Sequence, residues 1–163
     1  MSTIEKKSLK VGKYVNTEHV DTVIGTYKRE RWAHNSKRMG KEDSLSAWYS
    51  VEEMEAYLEN IKTNGANGVR IYFAAYPEDY TAVPEYAGRQ TLVMVATKTK
   101  MLESGRLAHK EIYTSNENGT PQILAYNAPM LCPPFCPPPG GGLGRTNLGV
   151  TIVDNGEEGM SVI

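Results

Sequence analysis

The chain has 163 residues, 40% of them hydrophobic and 23% charged, with a formal net charge of −1. That balance is ordinary for a globular domain able to bury a core without staples. It excludes a collagen-like or highly charged disordered chain, and no apolar run approaches the ~20 residues of a membrane span. The charge is unevenly placed. Residues 1–41 hold ten Lys and Arg against four Asp and Glu, and the remainder holds eight against fifteen. A basic front and an acidic remainder suit an electrostatic partner within the molecule or in its neighbour.

Residues 1–16 read as a polar, lysine-spaced arm. Its lysines are not followed by an apolar stretch, so a secretory leader is not expected and the cytoplasm is the expected location. Asn16 or Thr17 can cap a helix, and Val20, Val23, Ile24, Tyr27 and Arg31 recur at the spacing of one helical face. The helix is expected to reach Trp32 or Asn35, with "NSKRMGKEDS" as the loop after it. "SVEE" at Ser50–Glu53 is a capping box, and Val51, Met54, Tyr57, Leu58 and Ile61 mark the face of a second helix. "NGANG" stops that helix. A strand follows over Gly68–Tyr76, with Val69, Ile71, Phe73 and Ala75 on one face. "QTLVMVATKT", Gln90–Thr99, is apolar on both faces at its middle and is expected to be central. Residues 100–118 suggest a short helix and then a strand near Glu111–Ser115. "PQILAYNAP" and "LGVTIVD" offer further strands.

Helices first and strands after, without βαβ alternation, predict an α+β fold: two N-terminal helices on one face of a small, mostly antiparallel sheet. The expected division is an arm over 1–16, an α+β domain over 17–131, a Pro/Gly-rich hinge over 132–147 and a β-rich tail over 148–163.

"DSLSAWYSVEEMEAYL" (Asp43–Leu58), "GVRIYFAAYPED" (Gly68–Asp79) and "TLVMVATK" (Thr91–Lys98) together resemble a family of small bacterial proteins without assigned activity. Its pattern is a Ser-x-Trp-Tyr/Phe-Ser segment capping an acidic helix, then a Gly-[VI]-Arg-Ile-Tyr-Phe-Gly strand. The chain departs from it at Ala74, where the pattern has glycine. The resemblance implies an α+β core and a bacterial cytosolic protein, and it transfers no functional residue.

Several stretches could carry chemistry. Cys132 and Cys136 have a permitted zinc-ligand spacing, but no second pair exists, and His19, His34 and His109 are not paired at ligand spacing. The two cysteines are expected to be reduced, packing as small apolar groups. No metal and no other cofactor is expected. "PGGGLGRT" lacks the first glycine and the lysine of a phosphate-binding loop, so it is a decoy. The prolines before it suggest an extended rod, and the glycines a swivel.

The tail beyond can fold back or pair with a neighbour's sheet edge, through Leu148, Val150 and Ile152. Arg70, Tyr72 and Arg89 form a candidate anion site, since a guanidinium fork suits carboxylate or phosphate. Lys28, Arg29, Arg31, Trp32, Lys37 and Arg38 form a candidate nucleic-acid surface, which an acidic remainder disfavours. Asp43, Ser44 and His34 are close in sequence, but no signature of nucleophilic or metal-dependent catalysis is present. The leading expectation is therefore a non-enzymatic module that self-associates or binds a partner protein through its tail. A small anionic-ligand-binding protein or enzyme built around Arg70, Tyr72 and Arg89, and nucleic-acid binding, are the alternatives.

Overall fold

A computed structural model describes residues 9–136 and the backbone of Ile152–Asp154 and Met160–Val162. Helix α1 (Thr17–Tyr27) starts at Asn16, whose side-chain oxygen accepts from the His19 amide at 2.9 Å. It continues through one wide turn, Lys28–Trp32, into α2 (Ala33–Met39), which stops at Gly40 with φ +69°. Residues expected as loop are thus helical as far as Met39. The misleading residues are Asn35 and Ser36, whose side chains usually compete for the local backbone. Here they reach forward instead: Asn35 Nδ2 donates to Asp43 Oδ2 at 3.0 Å, and Ser36 Oγ accepts from the Asp43 amide at 2.9 Å.

Helix α3 (Val51–Thr63) carries half of the expected capping box. Ser50 Oγ accepts from the Glu53 amide at 3.1 Å, but the Glu53 carboxylate accepts from Tyr126 Oη at 2.6 Å. Its inner face buries Tyr57 and Ile61 against Ala66, Met94 and Ala96, with Val69 and Tyr126 packed around them.

The principal sheet is antiparallel, in the order β2 (Gly68–Ala75), β3 (Gln90–Met101), β4 (Leu107–Glu111). Strand β3 is central, as its two apolar faces require: β2 runs along one side, and β4 and β7 (Ala125–Tyr126) pair on the other. Gly68 is needed at the start of β2, because a Cβ there would stand 2.8 Å from Thr97 Oγ1. The helix expected after Lys100 is absent. β3 runs on to Met101 and turns into β4, and β5 (Tyr113–Ser115) pairs with β6 (Pro121–Ile123).

A second apolar cluster joins Tyr76 and Tyr86 to Leu131 of β8 (Met130–Cys132), which pairs with β1 (Ser46–Trp48), whose Ala47 packs against the cluster. The Tyr76 and Tyr86 rings stack at 5.5 Å, and Tyr86 Oη donates to the Pro129 carbonyl at 3.0 Å. The fold is α+β with a mostly antiparallel set of strands. No helix among the described residues is long and apolar enough to cross a membrane.

The segment after Leu131 corrects two expectations. Cys132 and Cys136 are joined by a disulfide, so they are neither reduced nor available as thiolate ligands. The loop they close is folded rather than rod-like: the Phe135 amide donates to the Leu131 carbonyl at 2.9 Å, and Ser44 Oγ donates to the Pro133 carbonyl at 3.0 Å. The Phe135 ring sits 5.6 Å from that of Tyr86. Residues 137–147, the rest of the expected hinge, lie outside the described residues.

Candidate functional site

The alternation of β2 promises an apolar face of Val69, Ile71 and Phe73 turned to the core. Only its first part is covered. Val69 packs with the α3 cluster, whereas Ile71 is 52% and Phe73 84% exposed. The register accounts for Phe73. Val69 faces Ala96 and Ile71 faces Met94, both in the α3 core, but Phe73 faces Leu92, beyond that cluster. Among the described residues β2 has no strand on its outer side. Its unpaired amides and carbonyls therefore lie beside two bulky apolar side chains, the combination that sheet proteins usually screen with charge or a covering element.

Next to Phe73 the structure opens into a groove of about 270 Å³. One wall is α1, through Val23, Ile24 and Tyr27; Leu45 and Ala47 form another, with Leu92 and Leu131 also lining it. The apolar face read from the helical spacing of α1 is thus real, but part of it lines this groove. At the rim Tyr27 Oη donates to Gln90 Oε1. Burial, and then the Asp43 carboxylate, raise the Tyr27 pKa, so this hydroxyl stays a donor.

Asp43 fixes the wall of the groove. It is 2% exposed. Its Oδ1 accepts from the Ser44 amide at 2.8 Å and from the Gln90 amide at 2.7 Å, and its Oδ2 accepts from Asn35 Nδ2. Its own carbonyl accepts from Trp32 Nε1 at 2.7 Å. One residue thereby ties α2, the strand β1 that follows it, and the first residue of β3. Asp43 lay in the stretch expected as loop, with nothing in its spacing to mark it as a clamp. The available signal was the run of short polar residues, Asn35, Ser36, Asp43 and Ser44, which can satisfy one another only when buried together.

The three residues of the expected anion site are not brought together. Arg70 is bonded to the Glu111 carboxylate, and its Nη2 donates to the His109 carbonyl at 2.7 Å. Tyr72 Oη donates to the same carboxylate at 2.9 Å. The hydroxyl of Tyr72 and the Glu111 charge raise the Arg70 pKa, while hydrogen bonds from its own backbone and from Tyr72 lower that of Glu111. Arg70 faces Val95 across the ladder and Arg89 stands just before Gln90, roughly 20 Å away at ~3.4 Å per residue. Arg89 is buried and spends its donors on the Glu85 carbonyl, at 2.8 Å, and the Glu42 carbonyl. The cluster is an internally neutralised surface pair plus a structural arginine.

The basic surface is also divided. Lys28 is buried with its ammonium 5.1 Å from the centre of the Trp32 ring, and the indole N–H is engaged by Asp43. Arg29 reaches Thr26 Oγ1 at 3.5 Å and Arg31 the Glu30 carbonyl at 3.1 Å. Lys37 and Arg38 are exposed. The tryptophan expected to stack on a base is committed to the fold. His34 is exposed while Asp43 and Ser44 are buried, so these three form no catalytic set.

Of the expected tail residues, Ile152 lies in β9 (Ile152–Asp154), paired antiparallel with β10 (Met160–Val162), and β10 runs beside α1. Leu148 and Val150 lie outside the described residues. Among the described residues no three His, Cys, Asp or Glu are grouped to hold a metal ion.

Fold and site together define an α+β domain with an open sheet edge beside an apolar groove. Comparison with protein-family models, with curated proteins and with solved structures gives no match to this chain.

Proposed function

We propose that the chain is a non-enzymatic self-association module whose docking element is the outer edge of β2 with Phe73 and the groove beside it. The observation that carries this reading is Phe73, 84% exposed on an edge strand whose outer side has no partner among the described residues. Strand addition at such an edge draws affinity from main-chain hydrogen bonds and specificity from alternate side chains. The docking element is β2 rather than the C-terminal tail, because β2 carries exposed Ile71 and Phe73 along its unpaired edge, whereas β10 of the tail already runs beside α1 of its own chain. An anionic ligand is less favoured, since Glu111 neutralises Arg70 and Arg89 is internal. The disulfide pulls against a cytoplasmic location, where thiols are kept reduced, and the proposal requires neither compartment.

Sedimentation equilibrium of the wild type and of Phe73→Lys tests the reading. Lysine on an edge strand opposes strand addition, and an exposed position tolerates it. A defined oligomer in the wild type and a monomer in the variant are expected. A wild type that stays monomeric, or a variant that associates equally well, would overturn it.

A further inference from the structure

The residues before α1 are the least covered apolar segment among those described. From Leu9 to Val15, "LKVGKYV", the chain has neither helix nor strand, Val11 is 97% exposed and Tyr14 is fully exposed. Nothing stands within 4 Å of where a Gly12 Cβ would be. This arm does not lie on its own domain. Yet its composition suits a strand: Leu9, Val11, Lys13 and Val15 alternate onto one side, three of the four apolar, and Lys10, Gly12 and Tyr14 onto the other.

Resting on the reading of β2 as a docking edge, we infer that its occupant is the N-terminal arm, Leu9–Val15, of a second copy of this chain. Three observations converge. The arm matches the eight-residue length of β2 to within a residue. With Val11 set opposite Phe73 in an antiparallel register, Leu9 falls against Ala75 and Val15 against Val69, while the aliphatic stem of Lys13 lies along Ile71 with its ammonium left in water. The arm also precedes a helical segment that shares its positive balance, so its own front end repels it and the acidic remainder of a neighbour attracts it.

The competing arrangement pairs two β2 edges about a two-fold axis. It would cover Ile71 and Phe73 but leave Val11 and Tyr14 in water. Arm exchange covers both sets, and reciprocal exchange closes a dimer.

The test is light scattering on the full chain over a hundredfold range of concentration, for the wild type, Phe73→Lys and the double variant Val11→Asp/Tyr14→Asp. All altered side chains are exposed, and circular dichroism with a thermal melt confirms that each variant is folded. The wild type is expected at twice the 18.1 kDa chain mass. Each variant should dissociate at a concentration about tenfold higher or more, since each removes at least one apolar contact of the paired strands. If Phe73→Lys is monomeric and the arm variant still dimerises, the arm is not the occupant, while β2 remains the docking edge. A monomeric wild type removes both.

Discussion

Replacing Asp43 with alanine should unfold the wall of the groove at a cost readable from the hydrogen bonds it removes. Three donors lose their acceptor: the Ser44 amide, the Gln90 amide and Asn35 Nδ2. Hydrogen bonds to a charged acceptor contribute about 1.5–3 kcal/mol each, and a buried donor left unpaired costs about 1–3 kcal/mol. Asn35 is only part-buried and recovers some loss through water, and removing the carboxylate also relieves its own desolvation. The net loss is about 4 kcal/mol, a large share of the ~5–15 kcal/mol that holds a domain folded. For a chain of this size that lowers Tm by about 8–16 °C. Asp43→Asn keeps an oxygen for the two amides and should lose about half as much. Urea denaturation and thermal melting of both variants make the measurement. An alanine variant within ~1 kcal/mol of the wild type would refute the clamp.

Further outcomes are expected elsewhere. Cys132→Ser/Cys136→Ser, or added reductant, should lower stability by about 2 kcal/mol, the loop-closure value for so short a loop; a thermal melt with and without reductant checks it. Arg89→Ala should cost about 2–4 kcal/mol by removing two bonds to carbonyls in the interior, whereas Arg70→Ala should barely move the denaturation midpoint. Equal effects at the two arginines would contradict their placement. Burial pushes the Tyr49 phenol up to about 12 from 10.0, and the phenols of Tyr57 and Tyr126 also rise. Raised folded pKa values mean that this stabilisation is complete below pH 10 and is lost as pH climbs through about 12. Absorbance titration at alkaline pH should therefore show a late-ionising subset of tyrosines released with unfolding. A single transition near the ordinary tyrosine value would contradict it.

Much of the architecture was legible because it rests on local rules. Asn16 caps α1, Ser50 caps α3, and the two-faced apolar run of β3 makes it central. What escaped depends on which element covers which. Alternation placed Ile71 and Phe73 on the face of Val69, but only the third dimension shows that α3 ends its cover before Leu92 and Phe73. Asn35 and Ser36 read as loop because their partner, Asp43, becomes a partner only after the chain has turned back. Glu53 gave its carboxylate to Tyr126, far along the chain, instead of closing its own capping box. Arg70 was expected to bind an external anion, and its anion is Glu111 of β4, which the ladder brings alongside from 41 residues further on. The cysteines were expected to be reduced, because their spacing alone does not show that the chain folds back to bring Cys132 and Cys136 into a disulfide.

Amide hydrogen exchange across β2 and residues 9–15, followed at low and at hundredfold higher protein concentration, tests the central claim most directly. The account predicts that β2 amides facing away from β3 gain protection only at the higher concentration, together with amides of the arm. Outward β2 amides that exchange freely at every concentration would contradict it.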